Sequence, residues 1–117
     1  KNIAPQNLEN DLKASRYISQ AIVLGDRRPY VAALLTLDPD EIAKWRADGG
    51  EDETALVQGI VDTVNEQRSR YEQIKRFEVL PRDFSAEEGE ITPTLKVRRG
   101  VVQEHFAVAI DRLYVNP

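Results

Sequence analysis

Two nearly unbroken apolar runs, QAIVLG and PYVAALLTLD, follow each other early in the chain, separated by Gly25, Asp26 and Pro29. Turn chemistry between two such runs predicts a hairpin over about residues 20 to 37. Neither run alternates cleanly between apolar and polar positions, which is the pattern of strands covered on both faces. A different rhythm comes later. Val57, Ile60, Val61 and Val64 recur at i, i+3, i+4 and i+7, the stripe of an amphipathic helix. Before the hairpin, Pro5 suits the first turn of a short helix that places Leu8 and Leu12 on one face. After it, DPDEIAKWRADGG reads as a second short helix, capped by Asp38 or Asp40, carrying Ile42 and Trp45, and closed by Gly49-Gly50. Ile74, Phe77, Val79 and Leu80 mark a third strand within IKRFEVLP, and residues 82 to 95 read as an extended loop. Val102, Phe106, Ala109 and Leu113 stripe a closing helix from about Arg99 to Tyr114.

The order helix, two strands, two helices, strand, loop, helix predicts a small α+β domain, with helices packed on a mainly antiparallel sheet. With 117 residues, 41% of them hydrophobic, one core is expected over residues 1–117. No Cys is present, which excludes disulfides, thiol catalysis and thiolate metal sites, and fits a reducing compartment. A formal net charge of −4 argues against non-specific nucleic-acid binding, which depends on neutralising phosphates. No apolar run is long enough to span a bilayer, and KNIAPQNLEN is too polar for a signal peptide. The sequence contains no Met, so beginning at Lys1 suggests excision from a longer protein.

Candidate chemistry is sparse. Lone His105 reads as a surface or partly packed side chain on the last helix. Glu87, Glu88 and Glu90 read as a solvated acidic loop, and Trp45 as a cover for the sheet edge. No Ser lies near a His, and there is no nucleophile elbow or phosphate-cradling glycine loop. Arg68, Arg70, Lys75, Arg76, Lys96, Arg98 and Arg99 gather in the second half, which could face an anion or simply balance surface charge. Lys96 stands out by its setting in GEITPTLKVRR. Pro93 stiffens the loop, and the alternation Leu95-Lys96-Val97 would aim the lysine away from its apolar neighbours. Its ammonium is a compact charge suited to phosphate oxygens.

ITPTLKVRR resembles the closing motif of the acyl-adenylate-forming, AMP-binding enzymes, which include acyl-CoA synthetases, luciferases and peptide-synthetase adenylation domains. Most members carry Gly where this chain has Leu95, and the long-chain fatty acyl-CoA synthetases are similar to it there. KNIAPQNLENDLKAS resembles the segment just after that family's hinge, and SQAIVLGDRRPYVAALLTLD its following hairpin. IKRFEVLPRDFSAEEGEITPTLKVRR resembles the long-chain form, so the similarity covers the whole chain in order.

The resemblance implies the C-terminal lid subdomain of an AMP-forming long-chain fatty-acid–CoA ligase, inactive as a fragment. Its N-terminal ATP- and acyl-binding domain would be the principal partner. ATP, coenzyme A and Mg²⁺ would then serve the intact enzyme, with none expected on this fragment and a fatty acid as substrate. Lys96 is implied as the adenylation lysine, while Lys1, Asn2, Ile3, Arg98 and Arg99 are candidates for a coenzyme A-facing surface or for loop support. The two arginines could instead pair with Asp83 and Glu87. A cytoplasmic enzyme is expected, with room for peripheral membrane association. The alternatives left open are a lid from an enzyme that loads a carrier protein and a non-catalytic α+β binding module.

Overall fold

The hairpin forms at the expected place, and everything else packs on its two faces. The structure, a computed structural model, describes residues 3–115. Helix α1 (Pro5–Lys13) leads into strands β1 (Ile18–Leu24) and β2 (Val31–Leu37), then helices α2 (Pro39–Ala47) and α3 (Glu53–Asn65). A 3-10 turn at Arg70–Glu72 precedes β3 (Ile74–Val79), and α4 (Arg99–His105) and α5 (Ala107–Tyr114) end the chain.

The sheet has the order β1-β2-β3. Its β1–β2 ladder is antiparallel, as the hairpin requires, whereas β3 joins β2 in parallel. The parallel ladder follows from the α2–α3 segment, because a parallel neighbour can only be reached by a crossover connection. Strand β2 is the centre, and Val31 to Leu35 are buried on both faces.

One face of the sheet carries Ala21 and Val23 of β1, Ala33 and Leu35 of β2, and Ile74 of β3. Against it pack Leu8 and Leu12 of α1 and Val57, Val61 and Val64 of α3. The opposite face carries Ile22, Leu24, Ala32 and Leu34, covered by Leu80, Phe84, Ile91 and the stripe Val102, Ala109, Ile110 and Leu113. Helix–sheet–loop-and-helix layering explains the missing alternation in β1 and β2.

Local chemistry sets the helix ends. Asp38 accepts from the N–H groups of Asp40 and Glu41 at 3.0 Å each and so caps α2. Asp52 does the same for α3 through Ala55 N–H at 3.0 Å. Gly49 closes α2 at φ +103°, a conformation that costs glycine nothing. The closing helix is not continuous. Phe106 leaves helical geometry at φ −113° and ψ 30° and divides it into α4 and α5. Its N–H still donates to Val102 O at 2.9 Å, and its carbonyl accepts from Ile110 N–H at 3.0 Å, so the last bond of α4 and the first of α5 both end on it. At the bend the Phe106 ring lies 6.1 Å from that of Phe84, with the Arg82 guanidinium 5.1 Å above it.

Candidate functional site

The segment between β3 and α4 has no regular structure, yet it is anchored at three places. At its start, Asp83 accepts from Thr36 Oγ1 at 2.7 Å, Ser19 Oγ at 2.5 Å and its neighbour Phe84 N–H at 2.9 Å. Thr36 also accepts Gln20 N–H at 2.9 Å, where the β1–β2 register slips between Ile18 and Gln20. One buried hydroxyl thereby mends the ladder and ties the loop to it.

Next, Ser85 to Glu90 make a single tight turn. Gly89 sits at φ +74° and donates to Ala86 O at 3.0 Å, while Glu90 N–H reaches back to Ser85 O at 3.0 Å. That pair of bonds around a left-handed glycine is the Schellman closure, and it turns Glu90 inward. Its side chain is fully buried at 0% exposure. Arg82 grips the carboxylate with two bonds of 2.7 Å, Ser85 N–H donates at 2.9 Å, and His105 Nδ1 lies 2.7 Å away. The Arg82 bonds, helped by His105 and Ser85 N–H, hold the Glu90 carboxyl down at about 2 although burial opposes this. The acidic loop is therefore solvated only in part: Glu87 and Glu88 are exposed, but Glu90 is an internal ion. His105 is its partner and not merely a surface ring.

The third anchor carries Lys96. Ile91 and Val97 form an antiparallel bridge, Thr92 N–H donates to Lys96 O at 2.8 Å, and Leu95 N–H donates to Thr92 O at 2.8 Å. This is the three-residue hairpin loop, a type I turn followed by one left-handed residue. Pro93 suits its first corner, where φ must be near −65°. Leu95 fills the left-handed position at φ +65°. Thr92 Oγ1 adds a bond from Lys96 N–H at 3.0 Å. The expected alternation holds only for Val97, which packs into the core, because Leu95 at 68% exposure faces solvent as Lys96 does.

Lys96 rims a cleft of about 390 Å³ between the hairpin and α1, shared with Gln6, Asn10, Lys13 and Arg99. Among the described residues its ammonium has no hydrogen-bond or ion-pair partner, and neither do the side chains of Arg70 and Arg98. The other basic residues of the second half are engaged. Arg68 pairs with Asp11, Lys75 donates to Arg70 O, and Arg76 donates to the carbonyls of Leu113 and Val115. Arg99 binds Glu9 at 2.5 Å and Val23 O at 2.8 Å, so its acidic partner lies on α1 and is neither Asp83 nor Glu87. Ile3 packs on the first core and its Cδ1 closes over Gly25, while Lys1 and Asn2 lie outside the described residues. No group of three or more His, Asp or Glu among the described residues could hold a metal. Nor is any helix there long and apolar enough to cross a membrane.

The model of the AMP-binding enzyme C-terminal domain matches residues 1–117. The chain belongs to that family. This C-terminal domain is 40% identical over 127 residues to the long-chain-fatty-acid–CoA ligase FadD15 of Mycobacterium tuberculosis, covering 97% of this chain and 21% of the relative. It is 30% identical to long-chain-fatty-acid–CoA ligase 5 of Mus musculus, over 96% of this chain and 18% of the relative. Thus the domain spans about a fifth of the length of the curated relatives it matches. Among solved structures it resembles the adenylation domain of a carboxylate reductase from Mycobacterium chelonae. That similarity has a TM-score of 0.80 at 25% identity and covers 97% of this chain and 18% of that one.

Neither Glu90 nor His105 was marked as a site by sequence. Glu90 looks like Glu87 and Glu88 from its neighbours alone, and its partners lie 8 and 15 positions away.

Proposed function

We propose that this domain is the mobile lid of an ATP-dependent, AMP-forming long-chain fatty-acid–CoA ligase, and that Lys96 is its adenylation cation. The observation that carries this reading is the Lys96 hairpin. An unpartnered ammonium stands at the tip of a loop braced at its base by a buried ion network. In the reaction a carboxylate oxygen attacks the ATP α-phosphorus and the bond to pyrophosphate breaks; coenzyme A thiol then displaces AMP. Negative charge gathers between carboxylate and phosphate in the first step, where a fixed ammonium offsets it without reorganising. The hairpin supplies the position, and the charge is available because Glu9, the carboxylate in the same cleft, pairs with Arg99 and no described carboxylate pairs with Lys96.

ATP and Mg²⁺ would be held mainly by the remainder of the longer protein, since this domain offers no converging acidic ligands among the described residues. Lys96 would contribute its three donors to phosphate and carboxylate oxygens. Among the coenzyme A-facing candidates, the Arg98 guanidinium has no partner among the described residues. Arg99 is occupied by Glu9 and Val23 O, which suits it to support.

The test is Lys96→Ala in the full-length enzyme. Adenylation, read as ATP–pyrophosphate exchange, should fall about 10²–10³-fold, while thioester formation from supplied acyl-adenylate changes little. An equal fall in both half-reactions would reject the assignment. Similarity to a carboxylate reductase adenylation domain favours a second reading, in which the acyl group passes to a carrier protein. Competing coenzyme A against a carrier protein as acceptor separates the two.

A further inference from the structure

We propose that Glu90 is a positioning residue for Lys96, fixing the frame from which the lysine reaches without touching substrate itself; this rests on the adenylation role of Lys96. A fully buried carboxylate is costly to keep unless every lone pair is used, and here the groups using it come from three separate segments. Arg82 stands at the start of the loop, Ser85 in the tight turn and His105 on α4. The same residue also holds the hairpin through its backbone. Glu90 O accepts Arg98 N–H at 2.8 Å, the next rung beyond the Ile91–Val97 bridge, and Glu90 N–H is fixed to Ser85 O at 3.0 Å.

Both strands of the Lys96 hairpin are therefore bonded at one residue, just below the place where Ile91 and Val97 pack on the second core. Beyond that point the tip is held by its own bonds: Thr92 to Lys96 and Leu95, with Thr94 Oγ1 3.2 Å from Thr92 Oγ1. These bonds reach only the Lys96 backbone, and no described residue bonds to its side chain. Turning or shifting Glu90 thus swings the hairpin at its root, and the displacement grows towards the ammonium. Since catalysis by a fixed charge is lost with misplacements near 1 Å, Glu90 should govern rate more than binding.

The experiment uses the full-length enzyme and crosses Glu90→Gln with Lys96→Ala. Glu90→Gln keeps the shape but removes the charge that Arg82 and His105 hold. We expect adenylation kcat to fall about 10- to 100-fold, with KM for ATP and fatty acid within about 2-fold and thioester formation from acyl-adenylate unchanged. On the Lys96→Ala background Glu90→Gln should cost adenylation nothing more, because the group it positions is gone. A folded Glu90→Gln enzyme with normal adenylation overturns the proposal. So does a loss that adds fully to that of Lys96→Ala, or one shared equally by both half-reactions. Should Glu90→Gln not accumulate folded, Arg82→Lys decides: it keeps a cation beside Glu90 but loses the two-bond grip. A smaller fall confined to adenylation is then expected, and unchanged adenylation refutes the role. If Lys96→Ala itself leaves adenylation intact, the reading of Lys96 fails; if only the Glu90 variants are harmless, Lys96 stands and Glu90 falls.

Discussion

The carboxylate of Glu9 and the guanidinium of Arg99 meet at the free edge of β1, where they take the N–H and the C=O of Val23 respectively. Glu9 Oε2 accepts Val23 N–H at 2.8 Å, and Arg99 donates to Val23 O at 2.8 Å. An ion pair between α1 and α4 occupies the place a fourth strand would take, which blunts an edge otherwise open to pairing with other chains.

Glu9→Ala should therefore destabilise the domain by about 1–3 kcal/mol, since it leaves Val23 N–H and the Arg99 guanidinium without their shared acceptor. Urea unfolding checks the stability. Light scattering checks the edge, with greater self-association of the variant expected at equal concentration. A variant as stable as the parent would show that the edge bonds carry little weight.

Leu95→Gly should stabilise the isolated domain by up to about 1 kcal/mol. Leucine in the left-handed region costs about 1–2 kcal/mol, against about 0.5–1 kcal/mol for glycine's greater freedom when unfolded. Little packing is lost, because Leu95 is 68% exposed. Leu95→Val should move the urea midpoint the other way, as a branched side chain fits that conformation worse. Equal midpoints for both variants would contradict the hairpin geometry.

Acid should act on the domain through Glu90. Its carboxyl, held at about 2 against an ordinary 4.5, binds a proton less readily folded than unfolded. The resulting stability is whole above about pH 4.5 and drains away as pH falls towards 2. It amounts to on the order of 3 kcal/mol. Glu90→Gln should flatten that part of the profile, and denaturant midpoints measured across the acid range read it directly. A parallel decline in both proteins would place the acid sensitivity elsewhere.

What could be read from sequence divides along physical lines. Val57, Val61 and Val64 announced α3 because one buried face imposes a helical period. The apolar runs of β1 and β2 announced a sheet covered twice because every position there meets a core. Asp38 and Gly49 declared the ends of α2 through local bonding alone. The parallel seating of β3 was less legible, since it depends on how the intervening helices cross the sheet. Phe106 carries no breaker signal; its geometry answers to Phe84 and Arg82, contributed from the loop. Glu90 was hidden for the same reason, as a buried ion is recognised by partners and not by neighbours. Lys96 was visible through the resemblance of its motif, and its setting was visible through Pro93. The hairpin that holds it required Leu95 to adopt a conformation leucine rarely takes.

Thr36 ties the centre of the sheet to Asp83 through one buried hydroxyl, and Glu90 ties the turn to α4. The stretch from Asp83 to Glu90 is fixed at both ends, so a change of its length would strain one tether or the other. The hairpin tip at Pro93 and Thr94 is bound by neither, so variation in reach can arise there while the scaffold stays constant. Related lids could exchange that tip as a cassette, adjusting how far the lysine extends without redesigning the domain that carries it.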